Sequence, residues 1–349
     1  MKIQKILTTL SLAAGLSFGA FAQDIHFSQY YMSPMNLNPA MTGVMNCNGR
    51  FIANYRNQWA SVVKANAFNT YAASYDMSIP VGRSDFFGGG ISLWGDKAGS
   101  LDFATVQAKL SGSYSKRMGG YRKTSHYLVV GAEAGVAQRS IDFIKARYGN
   151  QHDGEGGFNS ARDAGEAFTN SNYIFGDVGA GMLWFSNFSN GNNLHIGLAA
   201  THLNRANQSF NGNKFEGLYT KFTTHVGGEF MFTKKLGLVP NVAVFFQGPS
   251  MELLPGTALK FNLSKNKREY QAFQVGLWGR LNNHYAKAIG TDAMIITTRF
   301  DYNNVGLGFS YDLNISELRP ASNMNGGFEF NLQYKICNGF KRADVCPNF

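Results

Sequence analysis

The chain has 349 residues and a formal charge of +10, with only 15% charged residues and 14% aromatic ones, among them 29 Phe and 16 Tyr. Beyond the first 22 residues no run approaches the roughly 20 consecutive apolar residues that a membrane-spanning helix needs, which excludes a helical membrane protein. A basic balance suits nucleic acid, but an exported chain rarely meets any, so acidic lipopolysaccharide or an acidic protein partner is the expected counterpart.

Export is read from the N-terminus. Lys2 and Lys5 form a positive start, Ile6 to Phe21 is apolar and uncharged, and Ala20-Phe21-Ala22 supplies small residues before a cleavage point at Gln23. Residues 1–22 are therefore expected to be a signal peptide, and no cysteine follows the cleavage point to make a lipoprotein. The match Gly15-Leu16-Ser17-Phe18-Gly19 to the hydrolase nucleophile pattern falls inside that leader and is accidental. Residues 23–49 follow as a lead too long to be the mere start of a strand, expected in the lumen or in the periplasm.

From residue 50 the recurring signal is period-two alternation. Phe51, Ala53 and Tyr55 alternate with Ile52, Asn54, Arg56 and Gln58; Val106, Ala108 and Leu110 alternate with Gln107, Lys109 and Ser111. Late in the chain Val305, Leu307, Phe309, Tyr311 and Leu313 alternate with Gly306, Gly308, Ser310 and Asp312, and Phe328 to Ile336 repeats the pattern. Strands are predicted near 50–59, 66–78, 86–96, 103–116, 125–139, 172–186, 193–203, 219–233, 236–248, 252–264, 268–280, 286–300, 303–313 and 325–336. Each has one apolar and one polar face. Outside water, a closed barrel is the only strand structure that satisfies every backbone group, and Gly-rich, aromatic-rich, weakly charged composition suits one. The fold class is all-β, a transmembrane antiparallel barrel of about 14 strands over 50–336, with 337–349 as a tail. Connections alternate between short and long, so the short ones and both termini are expected in the periplasm. Phe309, Tyr311 and Leu313 should face lipid. Ser310 and Asp312 should face the lumen, where Ser310→Arg should be tolerated.

Several segments together resemble the PorP/SprF family of type IX secretion-system membrane proteins. They are Phe27-Ser28-Gln29-Tyr30, Asn38-Pro39-Ala40 with Gly43, Tyr55-Arg56-Asn57-Gln58-Trp59, Ile196-Gly197-Leu198 with His202-Leu203, Gly306 to Leu313, Ser316-Glu317-Leu318 and Gly327-Phe328-Glu329. The resemblance spans the mature chain. It implies a non-enzymatic component of the machinery by which Bacteroidetes export adhesins and enzymes and, in some species, glide. Its implied partners are other type IX components or a large secreted surface protein, with outer-membrane lipid around the barrel. A diffusion channel or small-solute transporter is the alternative, and a barrel hydrolase a distant third.

The residues themselves offer few sites. No catalytic residue, cofactor, metal or small-molecule substrate is expected, because no Ser/His/acid set falls together under the alternation. His195 and His202 stand seven apart and should face opposite ways. Asn54, Arg56 and Gln58 share a polar face; they either bond inward acids such as Asp312, Glu329 or Glu229, or grip the lead or a passing partner. Asn38-Pro39 either fixes a turn or helps the lead dock a partner. Of three cysteines, Cys337 and Cys346 close a short loop and are the better candidate disulfide, leaving Cys47 over.

Overall fold

The computed structural model describes residues 24–120, 124–153, 157–159, 161–163, 165, 170–188, 191–210, 215–264, 269–284, 287–337 and 346. The expected signal peptide, residues 1–22, and most of the C-terminal tail lie outside them. Fourteen strands close into one barrel in chain order: β1 (Gly49–Gln58), β2 (Phe68–Val81), β3 (Asp85–Ala98), β4 (Phe103–Gly119), β5 (Ser125–Ser140), β6 (Asn172–Asn187), β7 (Asn193–Thr201), β8 (Lys221–Met231), β9 (Leu236–Gln247), β10 (Ser250–Asn262), β11 (Gln271–His284), β12 (Lys287–Tyr302), β13 (Val305–Asn314) and β14 (Asn325–Ile336). Every neighbour is antiparallel, and β1 pairs with β14 from Gly49 opposite Ile336 to Gln58 opposite Gly327. No edge is left open, which is the requirement for strands in hydrocarbon. No described helix is long and apolar enough to cross a membrane.

Alternation decides which side chains meet lipid. On β13 Leu307 is 51% exposed and Phe309 38%, while Ser310 and Asp312 between and beyond them are buried. The outward rings pair across strands, as Tyr55 with Tyr71 at 4.9 Å and Phe309 with Phe330 at 5.0 Å. The two mouths differ. At one, the chain turns through 82–84, 120–124, 188–192, 232–235, 263–270 and 303–304; at the other lie the longest connections, 141–171 and 202–220.

The lumen is filled by the lead. Residues 24–48 enter at the long-loop mouth, where Asp24 meets Gln247 and Lys221, and leave at the short-turn mouth, where the Asn48 amide bonds the Ile336 carbonyl. Three single turns of helix, Tyr30–Met32, Pro34–Leu37 and Pro39–Met41, compact it into a plug. Met32, Met35, Leu37, Ala40, Met41, Val44 and Met45 are all buried, and burying a side chain of the Met or Leu size stabilises by roughly 1.5–3 kcal/mol. Gly49 and Ile336 share one mouth, and Asp24 lies at the other.

The plug also corrects the tolerance expected of Ser310. Its side chain has no accessible surface, because the lumen is occupied rather than wet. Phe309→Arg should cost roughly 2–4 kcal/mol if it lies near the midplane, and Ser310→Arg should now be as damaging through overpacking and a buried charge. Comparable loss of heat-resistant barrel for both variants on unboiled gels is the expected result; survival of Ser310→Arg alone would mean a hollow lumen.

Candidate functional site

The contact between plug and wall is the candidate site, and it begins with β1. Asn54 and Arg56 point inward with the strand's period. Asn54 Nδ2 donates to the Met32 carbonyl at 3.1 Å and to Asn331 Oδ1 at 2.5 Å. Arg56 donates to the His26 carbonyl at 2.5 Å and to Asp312 Oδ2 at 3.2 Å. Arg280 on β11 reaches the same carboxylate at 2.8 Å and the Ser28 hydroxyl at 2.6 Å, with Asp292 at 3.5 Å and Glu252 at 3.8 Å. Glu329 accepts from the amides of Ser28 at 2.7 Å and Gln29 at 3.2 Å. Two strand guanidiniums and two strand carboxylates thus hold the residues of the Phe27-Ser28-Gln29 segment, all of it buried. Charges placed this deep persist only when paired and hydrogen-bonded, and here the pairing runs through the plug.

The plug's first described residue is fixed by a second cluster. His202 Nδ1 lies 2.8 Å from Asp177 Oδ1, and its Nε2 lies 3.3 Å from Asp24 Oδ2, which Lys221 also reaches at 3.3 Å. Burial opposes charge on the His202 ring, but Asp24 and Asp177 outweigh it and raise its pKa to about 9. Burial likewise acts against the Asp24 carboxylate, yet Lys221 and His202 hold it well below the usual carboxylate range. Around neutral pH His202 and Asp24 therefore form an ion pair between wall and plug. The seven-residue spacing of His195 and His202 did not put them on opposite faces. β7 ends at Thr201 and His202 adopts a left-handed φ of 58°, which returns its ring to the lumen.

Asn38 pins the middle of the plug. Its Oδ1 accepts from the Ala40 amide at 2.9 Å, and its Nδ2 lies 3.1 Å and 3.2 Å from the carbonyls of Met182 on β6 and Leu198 on β7. Pro39 starts the next turn, so the pair fixes a turn, and both residues are buried against the wall. The wall is cut to receive them. A Cβ on Gly181 would lie 2.0 Å from Asn38 Oδ1, and one on Gly88 would lie 2.1 Å from the Thr42 carbonyl. At the short-turn mouth Asp76 accepts from Gly43 N at 2.8 Å and pairs with Arg50 at 2.7 Å. Gln58 is half-buried at the opposite rim, paired in the sheet with Gly327 and Phe68, and stands apart from the Arg56 cluster.

The disulfide is Cys47–Cys337, not Cys337–Cys346. Because Gly49 faces Ile336 at barrel closure, the residues just beyond each strand end stand side by side. Cys346 is buried instead, its amide bonded to Asn46.

A family model described as type IX secretion system membrane protein PorP/SprF matches residues 19–334. The chain belongs to the PorP/SprF family. Several solved structures are similar to it at low identity. A bacterial polysaccharide outer membrane secretin is 8% identical with a TM-score of 0.37, over 84% of this chain and 99% of that one. A TodX monoaromatic hydrocarbon channel deltaS2 mutant is 10% identical with a TM-score of 0.44, over 85% and 91%. A KdgM porin in complex with disordered oligogalacturonate is 7% identical with a TM-score of 0.33, over 82% and 99%. No curated protein matches the chain.

In this PorP/SprF barrel, Asn38, Pro39, Asn54, Arg56 and Asp312 all take part in seating the plug. Arg280, Arg50, Asp177 and the seat glycines were not foreseen. Alternation on β11 held the signal for Arg280, which shares the inward face with the buried Trp278; the glycines gave none, because what they accommodate comes from far away in sequence.

Proposed function

We propose that this integral outer-membrane barrel is a non-enzymatic type IX component that assists export or surface attachment of a partner protein such as an adhesin. Where that adhesin drives gliding, the barrel serves motility. The observation that carries the proposal is the seated plug: buried ion pairs and apolar packing occupy the lumen from one mouth to the other, which suits a docking component better than a diffusion channel. The short-turn mouth is assigned to the periplasm, following the usual asymmetry of such barrels, and the long loops to the cell surface. Ile144, Phe215 and Leu318 are 97%, 69% and 59% exposed on those loops, apolar side chains of the kind that protein contacts cover.

Deleting the gene should leave permeability to small solutes nearly unchanged while one surface protein is lost or shed into the medium. Crosslinking on intact outer membranes should recover that protein, or another type IX component, with the barrel. A large steady conductance of the intact barrel in planar bilayers, with no protein recovered by crosslinking, would replace this proposal by the channel.

A further inference from the structure

The formal charge of +10 is not spread over the molecule. The six short connections carry eight Lys and Arg against a single carboxylate, Glu269, whereas the seven connections at the other mouth carry seven against eight. At that mouth Lys145 pairs with Asp142 at 3.4 Å, and Asp102 pairs with Lys97 at the end of β3 at 2.9 Å. On the short turns Arg83, Lys234 and Lys235 are exposed, and none forms an ion pair among the described residues.

Each short turn also starts from an exposed apolar side chain. Val81, Met118 and Phe188 are 41%, 61% and 38% exposed, and Phe232, Leu263 and Tyr302 are 64%, 53% and 45%. These continue the lipid-facing wall to its rim. In the turns of Val81 and Phe232 the cations follow two residues later, as Arg83 and as Lys234 with Lys235. An apolar foot with a cation just beyond it matches the boundary between acyl chains and phosphates. The two turns lie far apart around the barrel, between β2 and β3 and between β8 and β9, so they are two separate places on the rim and not one patch.

From this we infer that the short-turn rim is a binding surface for anionic phospholipid, such as phosphatidylglycerol or cardiolipin, in the leaflet it contacts. The apolar feet sit among acyl chains and the cations hold the phosphates. The assignment of that leaflet to the periplasmic side rests on the orientation proposed above; the binding itself does not. An acidic periplasmic protein would need cations alone and gives no reason for the apolar residue at the base of every turn.

The test uses the purified full-length barrel in nanodiscs of phosphatidylethanolamine with a minor fraction of phosphatidylglycerol, and native mass spectrometry of the lipid retained on release. Retained lipid should be enriched in phosphatidylglycerol for the wild type. Each cation removed is expected to weaken that enrichment about fivefold, the equivalent of about 1 kcal/mol per charge. R83Q should lower it by that factor and the pair K234Q/K235Q by more, K234R/K235R should keep it, and K97Q at the other mouth should leave it unchanged. Heat-modified mobility on gels confirms that each variant is folded. Equal enrichment in all variants overturns the inference, as does loss in K97Q alone. So does photocrosslinking from position 234 in cells that captures protein and no phospholipid. Crosslinks from that position to lipopolysaccharide would instead reverse the orientation, while the nanodisc result would stand.

Discussion

Arg280→Met should lower the unfolding free energy of the bilayer-inserted barrel by roughly 3–5 kcal/mol, the range for removing one partner from a buried charge cluster. The Arg280 side chain is 1% exposed and stands among Asp312, Asp292 and Glu252. Methionine fills much of the same volume, so the loss is one of charge and donors more than of packing. Without the guanidinium, Asp312 keeps Arg56 at 3.2 Å and Ser28 Oγ at 2.8 Å, but among the described residues Glu252 keeps only His26 as an ion-pair partner, at 3.8 Å. Arg280→Lys should fall between, because an ammonium restores charge and lacks the planar fork that serves several acceptors at once. Adding Asp312→Asn to Arg280→Met should recover part of the loss, since one stranded carboxylate is gone. Denaturant titration of folded protein in vesicles, followed by tryptophan fluorescence, reads all three. A loss under about 1 kcal/mol, the size of a solvent-exposed pair, would mean that water reaches the cluster and the lumen is not closed there.

The barrel was legible because half of every strand answers to lipid. Period two survives wherever one face is apolar, and each of the fourteen segments read from it coincides with a strand to within a few residues. The lumen was one of two places expected for the lead, but its path there was not legible, because residues 24–48 carry no period of their own. Their path is set by groups up to 302 residues away, such as Asn331 for the side chain of Gln29, Glu329 for its amide and Asp312 for the hydroxyl of Ser28. Short helical turns of three and four residues leave no amphipathic stripe to detect. The disulfide was recoverable in principle: closing the barrel forces the first and last strands together, and Cys47 and Cys337 flank them. Proximity in sequence favoured Cys346, and three-dimensional closure decided otherwise. His202 shows the opposite limit, since a single left-handed residue at the end of β7 undoes a parity argument that is sound inside the strand.

Removal of residues 24–43, with the leader and Cys47 retained, should convert a barrel of little conductance into one with large, steady openings in planar bilayers. Strand pairing makes no use of the lead: all fourteen neighbours bond each other, and β1 starts at Gly49. The barrel should therefore still assemble, with the Cys47–Cys337 bridge closing its seam. The inner wall left exposed carries polar groups such as Gln107, Lys109, Glu133 and Gln274, which water can solvate, beside apolar ones such as Phe185, Leu254 and Trp278, whose plug contacts are lost. A smaller version of the same result is expected from Gly181→Leu. Even its Cβ would lie 2.0 Å from Asn38 Oδ1, so the middle of the plug has to leave its seat while the segment around Ser28 stays bound. That variant should flicker between closed and open, where the deletion stays open. If the deleted form inserts, shows heat-modified mobility and conducts no more than the intact protein, then the lead does not close the lumen. The block would then lie in the long loops at the other mouth.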